Sequence, residues 1–261
     1  MKALSKTRKK SFMKKSKIEW TEETWNPTTG CNKVSAGCKH CYAEVMANRL
    51  KAMGAPGYEN GFEFSIMPER LEQPLKKKKS TKYFVNSMSD LFHEKMPIEF
   101  LNKIMGVIDL TPQHVYQILT KREDAMFDYF QNRHVPENIW LGVSVEDKKS
   151  GVPRIDKLRN IDATIKFLSV EPLLEDIGEI NLTGIHWVIV GGESGAKARP
   201  MKKEWALNIK RQCEEQNVAF FFKQWGTWGA DGVKRSKKSN GRILEGKEWS
   251  SYPEQIVNES I

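Results

Sequence analysis

The sequence predicts an α/β fold in which about six or seven parallel strands form a complete or nearly complete βα barrel. Two observations predict it: apolar runs of strand length recur about 20–35 residues apart, and helical patterns separate most of them. At 261 residues the chain is long enough for one barrel with a substantial core. A doubly wound open sheet is the alternative, because periodicity does not distinguish the two.

The strands are predicted where apolar runs end in polar residues. A short first strand is expected near residues 24–25. The six longer runs begin at Tyr83, Val115, Ile139, Ile165, Trp187 and Ala219. The predicted helices cover residues 42–53, 98–110, 122–131, 151–159 and 202–215. The segment between Glu171 and Trp187 is too short for a full helix, and residues 58–81 are expected to be irregular.

Charge is distributed unevenly over three expected regions. These are a basic tail at 1–17, the barrel at 18–228, and a C-terminal loop with a peripheral extension at 229–261. The tail holds eight of the 42 basic residues and none of the 33 acidic ones, so the remainder is nearly neutral. We therefore expect a disordered, solvated tail and a solvated face at the lysine run 76–79, with phosphate contact as the alternative for both.

Composition also indicates where the protein works. Four cysteines without a secretory signal favour a reducing cytoplasm. No stretch approaches the roughly 18 apolar residues that a membrane span requires. We expect a cytoplasmic protein with no membrane partner.

Three of the four cysteines lie close together, at Cys31, Cys38 and Cys41, and Cys213 is far away. A [4Fe-4S] cluster held by three thiolates keeps one iron open to an outside ligand, whereas electron-transfer clusters usually have four. The loop leads into the predicted helix 42–53, whose first amide groups stabilise negative charge. The pattern predicts an iron–sulfur cluster that performs chemistry.

A structural zinc site is the main alternative for this loop. Zinc needs a fourth ligand, and the only local candidate is His40, which lies between two of the cysteines. Its ring would struggle to reach the same metal. A disulfide is the weaker alternative, because three local cysteines leave one unpaired.

A three-cysteine loop followed by a helix and by strand–helix units resembles the radical S-adenosylmethionine (SAM) enzymes. More narrowly, six motifs resemble the phage Gp37/Gp68 family, which is generally treated as radical-SAM-like. They are IEWT at 18–21, WNPTTGC at 25–31, CKHCYAE at 38–44, GGESG at 191–195, RPM at 199–201 and FFKQWG at 221–226. Six residues separate Cys31 from Cys38, whereas three residues separate the first two cysteines of the commonest radical SAM loop. This difference does not change the number of cysteine ligands.

The resemblance implies a barrel of the radical SAM type, a [4Fe-4S] cluster on Cys31, Cys38 and Cys41, and SAM as the second cofactor. It implies reductive cleavage of SAM to a 5′-deoxyadenosyl radical. Members of the family are often encoded beside a three-Cys-motif protein, which is therefore an expected partner. Under this interpretation Cys213 is expected to be buried and inert, with hydrogen donation to a radical as the alternative.

The expected substrate is a nucleobase, nucleotide or nucleic acid that the enzyme modifies or repairs. This rests on the basic tail, the lysine run 76–79, and Trp225 and Trp228 at the presumed barrel mouth. A peptide or small metabolite is the alternative substrate. A zinc-stabilised nucleic-acid-binding protein without catalytic activity is the alternative from another class.

Polar residues that follow the predicted strands are further site candidates, because ligands bind at the carboxyl ends of parallel strands in both architectures. The cofactor-binding candidates are His40, Ser87, Ser89, Asp90, Lys121, Ser144, Glu146, Gly191 and Gly192. The catalytic candidates are Lys223, Glu171 and Glu193. The alternative for each is a structural role at a strand end.

The resemblance implies roles for the first of these. His40 precedes the last cysteine of the loop, where radical SAM loops commonly place an aromatic residue near adenine. Ser87, Ser89 and Asp90 follow the second strand, whose end usually binds the SAM amino group through a Gly-Gly-Glu triplet. That triplet is absent here, so hydroxyl and carboxylate oxygens would have to replace it.

Ser144 and Glu146 alternate along the fourth strand, which predicts that both face the same side. The resemblance implies that they contact the ribose hydroxyls. Gly191 and Gly192 follow an apolar strand and could bring backbone against adenine or phosphate. As a phosphate motif the pair is weak, because it lacks the G-x-G-x-x-G order.

Cations at the strand ends are candidate contacts for anions. Lys121 and Arg122 follow the third strand, where either could pair with the SAM carboxylate or an anionic substrate. Arg199 is a further candidate of this kind. Lys223 directly follows three phenylalanines, a costly position unless the ammonium points into a polar cavity.

Overall fold

Seven parallel strands form the central sheet of this computed structural model, which describes residue 16 and residues 18–254. In order along the sheet they are β1 (Glu23–Trp25), β2 (Lys82–Val85), β3 (Val115–Thr120), β4 (Ile139–Ser144), β5 (Ile165–Val170), β6 (Trp187–Gly191) and β7 (Ala219–Gln224). The expected basic tail lies outside the described residues, except for Ser16. All seven predicted strands are confirmed.

The strand order decides between the two predicted architectures. Every strand of the central sheet pairs in parallel with the strand of that sheet that follows it along the chain, and the order never reverses. Right-handed crossovers then place the connections on one face of the sheet, and the sheet curls around the other face. A doubly wound sheet would need a reversal. Within the described sheet β1 and β7 do not pair with each other, so the barrel is partial and open on that side.

Six helices are present in the described part of the chain. They are α1 (Tyr42–Ala52), α2 (Ile98–Asp109), α3 (Glu123–Phe130), α4 (Val152–Arg159), α5 (Lys203–Glu215) and α6 (Lys237–Asn240). The first five agree with the predicted helices to within about one residue at each end. As expected, the described chain forms no helix between β5 and β6. Short 3-10 helices at Ala36–Cys38, Pro68–Arg70 and Pro74–Lys76 occur in the irregular connections.

Alternation along the strands divides the core between the two faces of the sheet. On β2, Tyr83 and Val85 belong to the larger core shared with the helices, whereas Phe84 faces the barrel interior. The interior residues form an inner aromatic cluster of Trp20, Phe84, Trp140, Ile165, Phe167, Trp187, Ile189 and Phe221. Several of these residues lie near the amino ends of their strands, so the cluster fills that end of the barrel and leaves the carboxyl end for a site.

Chain segments from both ends of the described region cover the open side. The ring of Tyr252 lies 5.1 Å from the ring of Trp187 on β6, and its hydroxyl donates to the Glu19 carbonyl at 3.3 Å. The Lys82 ammonium of β2 lies 4.6 Å from the centre of the Tyr252 ring. The C-terminal segment, expected to be peripheral, thus contacts strands on both sides of the gap.

The lysine run 76–79 lies at the amino ends of the strands. Lys77 pairs with Glu23, the first residue of β1, and the run precedes β2 by a few residues. Because the cysteine loop follows the carboxyl end of β1, the run lies at the opposite end of the barrel. Its expected role as a solvated face agrees with the exposure of Lys76, Lys78 and Lys79.

Candidate active site

A cavity of about 430 Å³ opens at the carboxyl ends of the strands. Trp20, Phe84 and Leu119 form an apolar part of its wall, and the first two belong to the inner aromatic cluster. The predicted site residues that line the cavity are His40, Cys41, Lys121, Ser144, Glu171, Gly192, Glu193 and Lys223. The fold therefore brings these eight residues together from the cysteine loop and five strands.

Backbone contacts hold the cysteine loop over this cavity. The amide of Gly30 donates to the Met88 carbonyl at 2.9 Å, and the amide of Cys31 donates to the Phe62 carbonyl at 3.0 Å. Gly30 has a φ of +79°, and a Cβ there would lie 2.0 Å from the carbonyl oxygen of Glu63. Only glycine fits this close approach.

The three clustered thiols occupy different positions on the loop. Cys31 precedes the turn, Cys38 ends a 3-10 helix, and Cys41 is the N-cap of α1 and lines the cavity. All four cysteines of the chain are free, which removes the disulfide alternative for this structure. Within residues 16 and 18–254, no set of three or more His, Cys, Asp or Glu side chains is arranged to hold a single metal ion.

Arg122 connects the loop to β3. Its Nη1 donates to Cys31 Sγ at 3.4 Å and lies 3.1 Å from Asp90 Oδ2. Burial and the Asp90 carboxylate raise the pKa of the Cys31 thiol to about 11, and Arg122 opposes that rise. Asp90 also accepts hydrogen bonds from the Thr120 hydroxyl at 2.7 Å and the Lys121 amide at 3.1 Å. Asp90 is therefore occupied in holding Arg122 and the end of β3.

Glu146 occupies a different position from the one predicted. It is fully buried, accepts a hydrogen bond from the Ser35 hydroxyl, and pairs with Arg154 Nη1 at 2.7 Å. A Cβ on Gly37 would lie 3.0 Å from its side chain, so the loop rests directly on it. Glu146 does not line the cavity that Ser144 lines, because the chain leaves β4 after Ser144 and strand alternation ends there; its contact with the ribose stays a prediction.

The hydroxyls that follow β2 bind the connection after β1. Ser87 Oγ donates to Asn26 Oδ1 at 3.2 Å, and Ser89 Oγ accepts from the Thr28 hydroxyl at 3.0 Å. The Ser87 carbonyl also accepts from the Tyr42 hydroxyl at 2.5 Å. Neither serine lines the cavity. These hydrogen bonds agree with the structural role that was the alternative, and SAM binding by the two serines stays a prediction.

Two partly buried ion pairs border the cavity. Lys223 Nζ is 3.1 Å from Glu171 Oε1, and Ser169 donates to the other oxygen of that carboxylate at 3.1 Å. Glu193 pairs with Arg199 through two hydrogen bonds, at 2.6 and 2.9 Å. Burial favours the neutral acid, but Arg199 prevails and holds the pKa of Glu193 below its ordinary value. Lys223 lines the cavity, where the Glu171 carboxylate offsets the cost of an ammonium that directly follows three phenylalanines.

Two glycines of this wall have neighbouring groups so close that a larger side chain would not fit. A Cβ on Gly191 would lie 2.4 Å from Glu171 Oε1, and one on Gly192 would lie 2.0 Å from the Trp225 carbonyl oxygen. Gly191 therefore leaves room for a carboxylate, and Gly192 allows the chain beyond β6 to pack against the chain beyond β7. Both contacts account for the glycines structurally.

Lys121 differs from the other cations of the cavity. Its Nζ donates to Ser144 Oγ at 3.0 Å, across the neighbouring strands β3 and β4. Among the described carboxylates none lies within 4.0 Å of it. The cavity therefore contains an ammonium whose charge is available to an anion.

Other predicted aromatic and thiol groups lie elsewhere. The indole N–H of Trp225 donates to the Ile243 carbonyl at 2.8 Å, and that of Trp228 to the Ala198 carbonyl at 2.7 Å. Cys213 is fully buried in the core shared with the helices, and burial raises its pKa to about 12. Its expected inert role agrees with this position on the far face of the sheet.

Sequence reasoning missed several cavity residues. Leu119 and Ser169 stand two positions before Lys121 and Glu171, so strand alternation alone could have identified them. Trp20 and Lys237 reach the cavity from segments outside the strands, and no local pattern marks them.

The chain matches the family described as "Protein of unknown function (DUF5131)" over residues 15–253. No curated protein matches it. Among solved structures, spore photoproduct lyase complexed with dinucleoside spore photoproduct is 11% identical, with a TM-score of 0.47, 79% of this chain covered and 65% of that one. A variant of that lyase with bound AdoMet and the same dinucleoside is also 11% identical, with a TM-score of 0.45 and the same coverage. This chain thus spans about two thirds or less of their length.

None of the described helices is long and apolar enough to cross a membrane.

Proposed function

Because the chain belongs to the DUF5131 family, whose description assigns no activity, we propose its function from its own site. We propose a radical SAM enzyme in which Cys31, Cys38 and Cys41 hold a [4Fe-4S] cluster. The observation that carries the proposal is the position of the three-cysteine loop at the carboxyl-end opening of a parallel partial barrel, with Cys41 in the cavity wall. The relationship to the Gp37/Gp68 family remains a prediction from the motifs.

The donor set fits such a cluster by its chemistry. Three free thiols share one loop, and the fourth cysteine is buried on the far face of the sheet. Three protein thiolates leave one iron open to a cosubstrate. A single zinc ion would require all its ligands within about 2.3 Å of one point. A cluster instead distributes its thiolates over different irons, so the sulfurs need not converge.

The bound cluster and SAM would together supply reductive cleavage of the sulfonium bond and a 5′-deoxyadenosyl radical. The chain's own residues would bind and orient the reactants. The Lys121 ammonium offers a partner for a carboxylate, and the apolar wall at Trp20 and Phe84 excludes water from the cavity. His40 contributes an aromatic face beside Cys41.

Substrate contacts are assigned to the ends of β5, β6 and β7. Lys223 offers N–H donors, and the Glu171 carboxylate offers acceptors, in the cavity wall. Glu193 is held in its ionised form by Arg199 and is a second acceptor. We propose that these three residues contact a nucleobase, nucleotide or nucleic acid, which the enzyme modifies or repairs. A reducing cytoplasm, which suits the four free thiols, and a three-Cys-motif partner protein belong to the same proposal.

The test is anaerobic purification followed by iron and sulfide analysis, visible absorbance, and incubation with SAM and a strong reductant. We expect about four irons per chain, as the cluster formula requires, and formation of 5′-deoxyadenosine. C38A should lose both signals. C213A, which removes the one thiol on the far face of the sheet, should keep both.

Two results would reject the proposal. One is a wild-type protein that contains zinc and no iron. The other is a C38A variant that retains both the cluster and SAM cleavage, which would mean that the ligands lie elsewhere.

A further inference from the structure

A second cavity of about 210 Å³ adjoins the first on the open side of the barrel. It is lined by Glu19, Lys223, Gln224, Lys237, Lys238, Gly241 and Arg242, and we call it the side cavity. Four of these residues, Glu19, Lys223, Gln224 and Lys237, also line the main cavity. A group bound in the side cavity would therefore lie next to whatever occupies the main one.

The side cavity has an excess of positive charge. Its lining contains four cationic side chains and one carboxylate, Glu19. Three of the four have a carboxylate partner: Lys237 lies 3.3 Å from Glu19, Lys223 lies 3.1 Å from Glu171, and Arg242 Nε lies 3.5 Å from Glu248. Lys238 has no carboxylate within 4.0 Å among the described residues, and its side chain is exposed. The remaining charge favours an anion, which here would be held partly away from water.

Two polar atoms beside this charge lack hydrogen-bond partners in residues 18–254. They are Gln224 Oε1, on a residue only 8% exposed, and Arg242 Nε, which lies 3.5 Å from Glu248 Oε2 without forming a hydrogen bond to it. Gln224 Nε2 donates to the Gly192 carbonyl and to Ser194 Oγ, both at 3.3 Å, which fixes the amide oxygen on the opposite side. A buried polar atom without a partner is destabilising unless a ligand or water satisfies it. A ligand that accepts a hydrogen bond at Arg242 and donates one at Gln224 would satisfy both atoms.

The walls of the side cavity are built into the fold. The Trp225 amide donates to the Gly241 carbonyl at 3.2 Å, and the Phe222 amide donates to the Trp249 carbonyl at 3.0 Å. These bonds attach the segment that carries Arg242 to β7 on both sides of the arginine. Ser236 caps α6, which carries Lys237 and Lys238, by accepting from the Ser239 amide at 3.1 Å. The donors are consequently held in position before any ligand arrives.

We propose that the side cavity binds a phosphate group of a nucleotide unit and so directs the attached nucleoside into the main cavity. Phosphate oxygens accept from Lys237, Lys238 and Arg242 Nε, and a sugar hydroxyl or base N–H donates to Gln224 Oε1. An inorganic anion or a carboxylate side chain supplies acceptors without the neighbouring donor. This inference rests on the proposed function and names its substrate class as phosphate-bearing.

The test measures binding of a labelled short single-stranded oligonucleotide to full-length protein over a salt series. Loss of one phosphate contact should lower the slope of log K against log salt by about 0.7 and weaken binding by about five- to tenfold in roughly 50 mM salt. K238Q should show this change. K78Q removes the same charge from an exposed lysine at the opposite end of the barrel and should bind like wild type. R242K, which keeps the charge and removes Nε, should also bind more weakly.

Competition identifies the source of the phosphate. A 5′-mononucleotide that displaces the oligonucleotide from wild type, but not from K238Q, would indicate a free nucleotide, and failure to compete would indicate a nucleic acid. Equal effects of K238Q and K78Q, no oligonucleotide binding, or equally tight Lys238-dependent binding of an acidic peptide would overturn the inference. Binding does not need the cluster, so Lys238-dependent binding by a protein without iron would reject the proposed function alone.

Discussion

Arg122 and Cys31 are joined by a hydrogen bond in which the guanidinium Nη1 donates to the thiol sulfur at 3.4 Å. The same nitrogen lies 3.1 Å from the buried carboxylate of Asp90, which fixes the arginine at the end of β3. A residue just beyond the end of β3 thereby positions the first cysteine of a loop that is 91 residues away in the chain. Hydrogen bonds to cluster sulfurs are among the factors that set the reduction potential.

R122Q should lower the midpoint potential of the reconstituted cluster, because it removes a positive charge and a donor that favour the more negative reduced state. We expect a shift on the order of 50 mV, the equivalent of about one charge-assisted hydrogen bond. An EPR-monitored redox titration measures it. R49Q, an exposed position on α1, is the control and should leave the potential unchanged. An identical potential in R122Q would show that the contact does not reach the cluster.

E146Q should destabilise the protein and loosen the cysteine loop. The substitution leaves the guanidinium of Arg154, only 3% exposed, without its closest carboxylate. Loss of one member of a buried pair is typically worth about 3–5 kcal/mol in free energy of unfolding. Urea denaturation measures the loss, and hydrogen–deuterium exchange should increase at residues 31–41. E72Q, on an exposed residue, should change neither. Faster global exchange without a local change at the loop would contradict the anchoring role.

R199Q should reduce stability in a pH-dependent way. The pKa of Glu193 is lowered in the folded protein, so the ionised carboxylate stabilises the fold above its ordinary pKa of about 4.3. That contribution is lost as the pH falls through the lowered value. The wild-type advantage over R199Q should therefore be about 1–3 kcal/mol near pH 7 and should shrink toward pH 3.

Urea denaturation over that pH range provides the measurement for R199Q. R211Q removes an exposed arginine that also pairs with two carboxylates, and its effect should stay below about 1 kcal/mol. A difference between R199Q and wild type that is constant with pH would show that Glu193 is not the group involved.

K121M should weaken the binding of an anionic ligand in the main cavity without destabilising the fold. The ammonium bonds to Ser144 and has no carboxylate partner among the described residues, so its removal leaves no buried acid unpaired. We expect the Kd of SAM for the reconstituted protein to rise by about tenfold, or about 1.4 kcal/mol. Equilibrium dialysis measures it, with K103M on the exposed face of α2 as the control. Unchanged affinity would remove Lys121 from the ligand contacts.

Two glycine-to-alanine substitutions should have opposite signs. G192A places a Cβ 2.0 Å from the Trp225 carbonyl oxygen and should destabilise the protein by about 1–3 kcal/mol or more. G106A lies within α2, where a Cβ would meet nothing within 4 Å, and should stabilise it by about 0.5–1 kcal/mol. Thermal or urea denaturation distinguishes them. Stabilisation by G192A would show that Gly192, after β6, does not pack closely against Trp225, after β7.

Local sequence patterns were sufficient to predict much of the fold and part of the candidate site. The apolar runs located all seven strands, and the helical periods located α1 to α5, because each depends on residues close in sequence. Alternation and the carboxyl-end rule placed Lys121, Ser144, Glu171 and Lys223 in one cavity. Pattern was insufficient for Glu146, because the direction of a side chain beyond a strand end depends on how the chain turns.

The amino-acid sequence by itself determined the number, order and periodicity of the elements, and the placement of three thiols on one loop. Those properties follow from neighbouring residues and the repeat of each secondary structure. Only the tertiary structure decided that the barrel stays open between β1 and β7, that Arg122 reaches Cys31, and that Lys238 and Arg242 line the side cavity. These contacts join segments distant in the chain, and their geometry depends on how the whole sheet curls and packs.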